Sequence, residues 1–335
     1  MLVSLVIPVL NEAENVAALW SRLQEVTAGL PDCRFEVVFV DDGSQDGTAE
    51  EIRKLPPCGP LSWKLVQFSR NFGHQAAISA GMEHASGDVL IFLDADLQDP
   101  PELLPQFLEK YREGYDVVYG IRKNRKEPLW LRFCFGAFYR IFNLIADRPI
   151  PMDVGDFSLV SRRVARLIAS MPEHDRLIRG MRSWVGFRQI GIPYDRPERH
   201  AGTTSYSLGR RIAGALDGLF GYSKVPIRIA LFTGLLVCAI GGTYLSKALI
   251  SILLFGNNAE AGWTSVVTLG FMLGGANLVA IAIVGEYVCR IYFQTKNRPI
   301  FVVDRIETSQ SLAEPTGSPD GRSSGAPDSE ARSLR

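Results

Sequence analysis

Residues 229–255 carry a single charge, Lys247, and residues 263–284 carry none. Each stretch exceeds the roughly 20 residues that a helix needs to cross a bilayer. A core helix of a soluble domain usually keeps a polar face, so two stretches apolar on every side predict a pair of transmembrane helices. Lys247 lies near one end, where its stem can snorkel toward water. Arg210, Arg211, Lys224 and Arg228 precede the pair and Arg290, Lys296 and Arg298 follow it, while the intervening loop carries only Glu260. The positive-inside rule then places both ends of the chain in the cytoplasm, with a short hairpin outside. The opening residues, MLVSLVIPVLNE, have no basic leader and turn polar after a short apolar run, so they read as a strand rather than a signal peptide.

The chain has 335 residues, 47% of them hydrophobic, which leaves enough for one large soluble core beside the two helices. A formal net charge of zero excludes a nucleic-acid binder that relies on a bulk positive field. The five cysteines are scattered and odd in number, without zinc or disulfide spacing, which fits a reducing compartment.

Apolar runs at 2–7, 35–40, 64–68, 89–93 and 116–119 alternate with helical patterns at 12–28, 46–54, 73–85 and 101–113. The alternation predicts a mostly parallel α/β sheet. The first four runs end in polar residues: Asn11 and Glu12, Asp41 and Asp42, Ser69 to Asn71, and Asp94 with Asp96. In such sheets ligands sit beyond the carboxyl ends of the strands, so these residues locate a cleft. Residues 127–147 form an amphipathic pattern with a wide aromatic face, suited either to a membrane surface or to the sheet's own core. Gly270 and Gly274 would let helix backbones approach closely, within a chain or between chains of a homo-oligomer. The stretch 294–335 reads as a tail, without a packed core after about residue 307.

Asp94-Ala95-Asp96-Leu97-Gln98 offers alternating hard oxygens just past a strand, a spacing that suits Mg²⁺ or Mn²⁺ facing a diphosphate. Pro8, Asn11, Glu12, Asp41 and Asp42 end two further strands of the same cleft, where they can hydrogen-bond a nucleoside. Gly43 permits a tight turn there. Ser44 reads as the N-cap of the following helix, and Asp99, before Pro100 and Pro101, as another helix start.

The segments VIPVLNEAENV, VDDGSQDGT, SRNFGHQAAISAGMEHASGDVLIFLDADLQDPPE and VGDFSLVSRR resemble family 2 glycosyltransferases of the GT-A fold, in particular polyprenyl-phosphate glycosyltransferases related to dolichol-phosphate mannose synthase. GYSKVPIRIA and VGEYVCRIYFQTKNRPIFVV resemble the membrane-anchored bacterial branch, which includes bactoprenol glucosyltransferases. The resemblance spans about residues 2–303. It implies a GT-A (Rossmann-like) α/β domain over 1–226, a two-helix membrane region over 227–293, and residence in the bacterial inner membrane with the catalytic domain cytoplasmic. It also implies that Asp94, Asp96 and Gln98 arrange the metal and diphosphate. Pro8, Asn11, Glu12, Asp41, Arg70 and Asp94 would then bind the nucleotide sugar, and Asp156 would lie at the transferred sugar.

The implied reaction moves a hexose, UDP-glucose being the preferred donor, onto polyprenyl (undecaprenyl) phosphate with inversion, for cell-envelope glycan modification. A phosphate monoester is already largely dianionic at neutral pH, so Asp156 is expected to position the sugar, with proton transfer secondary. Arg122, Arg132 and Arg199 are the cations proposed for the lipid phosphate, and residues 196–206 resemble the family's acceptor-side loop. Mannosyl and aminoarabinosyl transfer would leave similar motifs. A processive polysaccharide synthase would show a Gln-x-x-Arg-Trp motif, of which only Arg182-Ser183-Trp184 is reminiscent, and more spans. A non-catalytic nucleotide-binding membrane module would not need the set Asp94, Asp96, Gln98 and Asp156.

Overall fold

The computed structural model describes residues 1–56, 61–123, 154–195, 225–255 and 262–309. The five anticipated strands are present as β1 (Leu2–Val9), β2 (Arg34–Asp41), β3 (Leu61–Phe68), β4 (Val89–Phe92) and β5 (Val117–Lys123). They are followed by β6 (Val154–Ser161), β7 (Gln189–Asp195) and β8 (Val303–Thr308), giving one sheet of order β7-β5-β6-β4-β1-β2-β3-β8. β4, β1, β2 and β3 run parallel, β6 lies antiparallel to β4, and β8 lies antiparallel to β3. The chain leaves β1 for β2 on one side and returns to β4 on the other. The carboxyl end of β1 is therefore a topological switch point, where α/β sheets hold ligands.

Side-chain alternation divides the core into two layers. Val3, Leu5 and Ile7 of β1 face α1 (Ala13–Ala28) and α4 (Leu104–Arg112) through Leu19, Trp20, Leu23 and Phe107. Val6, Val38 and Val66 face the other way, against α3 (His74–His84), α5 (Arg162–Ser170) and α6 (Ile178–Trp184). The short α2 (Thr48–Arg53) lies between β2 and β3 in sequence. Helix α3 packs tightly because Gly81 sits on Val6, where an added Cβ would collide with the valine side chain. That packing carries the first turn of α3 toward the carboxyl ends of the strands.

The two long apolar stretches form α7 (Val225–Phe255) and α8 (Trp263–Thr295), which lie against each other. Among the described residues one segment, Met272–Thr295, is long and apolar enough to cross a membrane, with a mean hydropathy of 1.6 and none of it buried. In α7 the apolar run Phe232–Thr243 is shorter. Among the described residues, a Cβ added at Gly270 or Gly274 would meet nothing within 4 Å.

Beyond α8 the chain returns to the sheet. Reading 294–335 as a tail missed β8, whose sequence VDRIET mixes charges with isolated apolar residues because the strand lies at the edge. The pattern at 127–147 lies outside the described residues.

Candidate active site

The loops after β1, β2 and β3 form one wall, joined by side chains accepting from backbone amides. Asn11 has a left-handed backbone (φ 55°), a conformation that asparagine tolerates. Its N–H donates to Ser44 Oγ at 3.0 Å and its Oδ1 accepts from Gln45 N at 2.8 Å. Glu12 N–H donates to Thr48 Oγ1 at 2.9 Å, and Asp46 accepts from Ala13 N at 3.2 Å. Ser44 thus ties two strand ends together rather than capping a helix: α2 begins at Thr48, after Gly47. Asp41, 3% exposed, accepts from Ser44 N at 2.8 Å and from Gln67 Nε2 at 3.3 Å.

Asp42, also buried, accepts from Phe72 N at 2.6 Å and Gly73 N at 2.9 Å, fixing the entry to α3. Burial raises its carboxyl above the usual range, and the amide donors offset this only in part. At Gly43 (φ +79°) an added Cβ would meet Arg70 C and Asn71 N at 2.8 Å, so the second and third loops touch backbone to backbone. Arg70 stands on the exposed rim, its guanidinium 4.0 Å from the Phe72 ring centroid. Pro8 sits within β1, beside Val40 of β2.

The loop after β4 carries Asp94, Asp96 and Gln98. It turns at Leu97, whose φ is +60°, and Asp96 Oδ1 accepts from Gln98 N at 3.1 Å. Pro100, not Asp99, is the N-cap residue of the short helical turn that follows. Its Oδ2 accepts from Asp94 N at 3.3 Å and its Oδ1 from the Tyr194 hydroxyl at 2.9 Å. Tyr194 in turn accepts from Arg122 Nε at 3.4 Å. Burial and the Asp99 carboxylate push the Tyr194 hydroxyl up. Burial works to lower Arg122, but Tyr194, Asp99 and Asp94 hold it above its ordinary value. An added Cβ at Gly155 would meet Arg122 Nη2 at 2.7 Å, so this arginine lies beside the backbone that presents Asp156.

Asp156, near the start of β6, accepts from Gln75 Nε2 at 3.0 Å and lies 3.5 Å from His74 Nε2. The same His74 nitrogen is 3.8 Å from Asp94 Oδ1. The first turn of α3 therefore inserts an imidazole between two carboxylates that are distant in sequence. Burial opposes charge on both Asp156 and His74. It is outweighed at Asp156, held at about 2 by His74, Arg179 and Arg182, and at His74, raised to about 9 by Asp156, Asp94 and Asp42.

Asp156 Oδ1 is buried and has no hydrogen-bond partner among the described residues; the same holds for Nε and Nη1 of Arg182, which is 2% exposed. Burial pulls Arg182 down to about 10, against the pull of Asp156.

Among the described residues no three His, Cys, Asp or Glu side chains gather as a metal cage. Two carboxylates and an amide on one loop are nevertheless hard-oxygen donors. They fit Mg²⁺ or Mn²⁺, for which water and substrate phosphate complete the shell. The structure thus brings together Pro8, Asn11, Glu12 and Asp41 on one wall, Asp94, Asp96 and Gln98 on one loop, Asp156 against Asp94 through His74, and Arg122 behind Asp156. Arg132, Arg199 and residues 196–206 lie outside the described residues.

Sequence reasoning missed His74, Gln75, Tyr194 and Arg182. The available signal was the His-Gln pair opening the helical pattern after SRNFG, a polar first turn aimed at the strand ends.

A mostly parallel α/β sheet whose acidic strand ends converge at the switch point, with an antiparallel β6 delivering a further carboxylate, defines a GT-A-like domain. The chain belongs to glycosyl transferase family 2, whose profile matches residues 4–168. It is 37% identical over 308 residues to the prophage bactoprenol glucosyl transferase homolog of Escherichia coli (strain K12), covering 92% of this chain and 100% of that one. It is 38% identical over 303 residues to the glycosyltransferase YkcC of Bacillus subtilis (strain 168), covering 90% and 93%. Among solved structures it is similar to the mannosyltransferase PcManGT from Pyrobaculum calidifontis in complex with GDP-Man and Mn²⁺. That match has 16% identity, a TM-score of 0.44 and coverage of 89% and 84% of the two chains.

Proposed function

We propose that this chain transfers a hexose, glucose from UDP-glucose, to undecaprenyl phosphate at the cytoplasmic face of a bacterial inner membrane. The observation that carries the reading is the meeting of Asp94 and Asp156 across His74 at the switch point of the sheet. It is supported by 37% identity, over the whole length of that relative, to a bactoprenol glucosyl transferase homolog.

Pro8, Asn11, Glu12, Asp41 and Arg70 hold the nucleoside, with Asp94 at the diphosphate. Asp94, Asp96 and Gln98 would hold Mg²⁺ or Mn²⁺, which when bound neutralises the leaving diphosphate. Asp156 Oδ1, a buried acceptor without a partner among the described residues, takes a hydrogen bond from a hydroxyl of the transferred sugar and orients its anomeric carbon. A phosphate oxygen of the lipid attacks that carbon as its bond to the diphosphate breaks. In-line displacement inverts the centre, so an α-linked donor gives a β-linked lipid product. His74 keeps Asp156 ionised, and Arg122, with Arg132 and Arg199, holds the lipid phosphate. α7 and α8 cross the membrane as a hairpin between the cytoplasmic domain, residues 1–226, and a cytoplasmic C-terminal segment, residues 294–335. Gly270 and Gly274, which meet nothing within 4 Å among the described residues, offer a face for a second copy.

The test incubates membranes containing the chain with undecaprenyl phosphate, Mg²⁺ or Mn²⁺, and radiolabelled nucleotide sugars, and then extracts the lipid. Label from UDP-glucose alone confirms the donor, and label from GDP-mannose or an aminoarabinose donor reassigns it. Nucleotide binding without label in the lipid from any donor refutes transfer.

A further inference from the structure

Strand β8 reaches the sheet only after the long helix α8, yet one of its side chains connects to the nucleotide wall. Arg53, on α2, forms a bidentate pair with Glu307 of β8, Nε to Oε2 at 2.9 Å and Nη2 to Oε1 at 2.9 Å. The two side chains are 27% and 17% exposed, so the pair is partly withdrawn from water. It raises Arg53 above its ordinary value and lowers Glu307. A forked contact of this kind fixes the plane of the guanidinium.

The same Nη2 also donates to Gln67 Oε1 at 2.8 Å, and Gln67 Nε2 donates to Asp41 Oδ2 at 3.3 Å. The order of charges gives the chain its direction. A reversed Gln67 amide would set its NH₂ against the guanidinium and its carbonyl against the carboxylate, so Arg53 dictates which end of the amide faces Asp41. Asp41 Oδ1 is held from the other side by Ser44 N at 2.8 Å.

We infer that Glu307 is a positioning residue for the nucleotide pocket, acting through Arg53 and Gln67 to fix the carboxylate of Asp41. The inference rests on the proposed role of Asp41 in holding the nucleoside. The C-terminal strand is thereby a working part of the donor site. Its attachment is firm: Phe301 stacks on Phe68 with ring centroids 5.1 Å apart, Val302 O accepts from Ser69 N at 3.0 Å, and Ser309 N donates to Trp63 O at 3.0 Å. Since residues 296–302 lead from α8 into β8, the same contacts join the apolar helix to the nucleotide wall.

The test measures UDP binding by titration calorimetry, and donor and acceptor kinetics, on the detergent-solubilised full chain. Glu307→Gln is expected to weaken UDP binding and raise the donor KM about fivefold, with kcat and the acceptor KM within about twofold. Gln67→Met, which leaves the Arg53–Glu307 pair intact, should do the same, and it carries the test if Glu307→Gln lowers the yield of folded protein. In an Asp41→Asn background Glu307→Gln should add nothing, because the two changes act on one network. Normal UDP binding in Glu307→Gln and Gln67→Met, alongside weakened binding in Asp41→Asn, would overturn the inference alone. Normal binding in Asp41→Asn would remove the pocket reading and the inference with it.

Discussion

On the wall formed by the ends of β1, β2 and β3, the side-chain acceptors of Asn11, Asp41, Asp42 and Asp46 all engage backbone or side-chain N–H groups. In the corner between β4 and β6, by contrast, Asp156 Oδ1 and two nitrogens of Arg182 are buried without partners among the described residues. Burying such atoms unpaired costs free energy, whereas a saturated network rigidifies its loops. The loops of the wall are therefore braced for a constant group, the nucleotide, although beside Glu12 the buried Oδ1 of Asn15 also has no partner among the described residues. The corner keeps hydrogen-bonding capacity in reserve for the group that reacts, with its charges balanced by His74 between Asp94 and Asp156.

Substitutions on the two sides should separate accordingly. The largest effect is expected from Asp96→Ala, which removes a hard-oxygen donor from the loop after β4: kcat should fall about 10²- to 10³-fold, measured as sugar transferred to lipid. His74→Gln should lower kcat about tenfold, because it removes a positioning charge rather than a group at the reacting atoms.

The His74–Asp156 pair also makes stability depend on pH. His74 rises from 6.5 to about 9 on folding, so its contribution is complete below 6.5 and disappears as pH rises through about 9. Asp156 falls from 3.8 to about 2, so its contribution is complete above 3.8 and disappears as pH falls through about 2. The melting-temperature gap between the parent and His74→Gln should thus be widest between those unfolded values and close above about pH 9. A gap that persists at pH 10 would break the ion-pair assignment.

Asp42→Ala tests the wall. It strands the part-buried amides of Phe72 and Gly73, and the expected loss is about 1–3 kcal/mol of stability by chemical denaturation. The smallest effect is expected from Ser44→Ala, which removes one acceptor from the Asn11 amide for about 0.5–1.5 kcal/mol, with no loss of helix content by circular dichroism. A fall in helicity would restore the capping role that the sequence suggests.

The same contrast governs how much was legible beforehand. Strands β1, β2 and β4 were readable because buried parallel strands are largely continuous apolar runs, β3 because it alternates, and the polar residues that follow them marked the cleft. Strand β6, VGDFSLVS, mixes polar and apolar residues and was recognisable only as a motif, while β8 hides its two apolar residues among charges at a sheet edge. Asp94, Asp96 and Asp156 were named from the sequence, but not the means by which they meet. His74 bridges residues 20 and 82 positions away, a relation created by the close packing of α3 on Val6. Asp99 read as a helix start because Pro100 follows it, yet Tyr194 draws it into the β4 loop.

The most direct test of this division of labour compares UDP binding and sugar transfer to undecaprenyl phosphate in full-length Asp156→Asn. A braced nucleotide wall beside a corner reserved for the sugar predicts UDP binding within about twofold of the parent and transfer reduced about 10²-fold or more. Transfer at the parent rate, or UDP binding lost together with transfer, would contradict it.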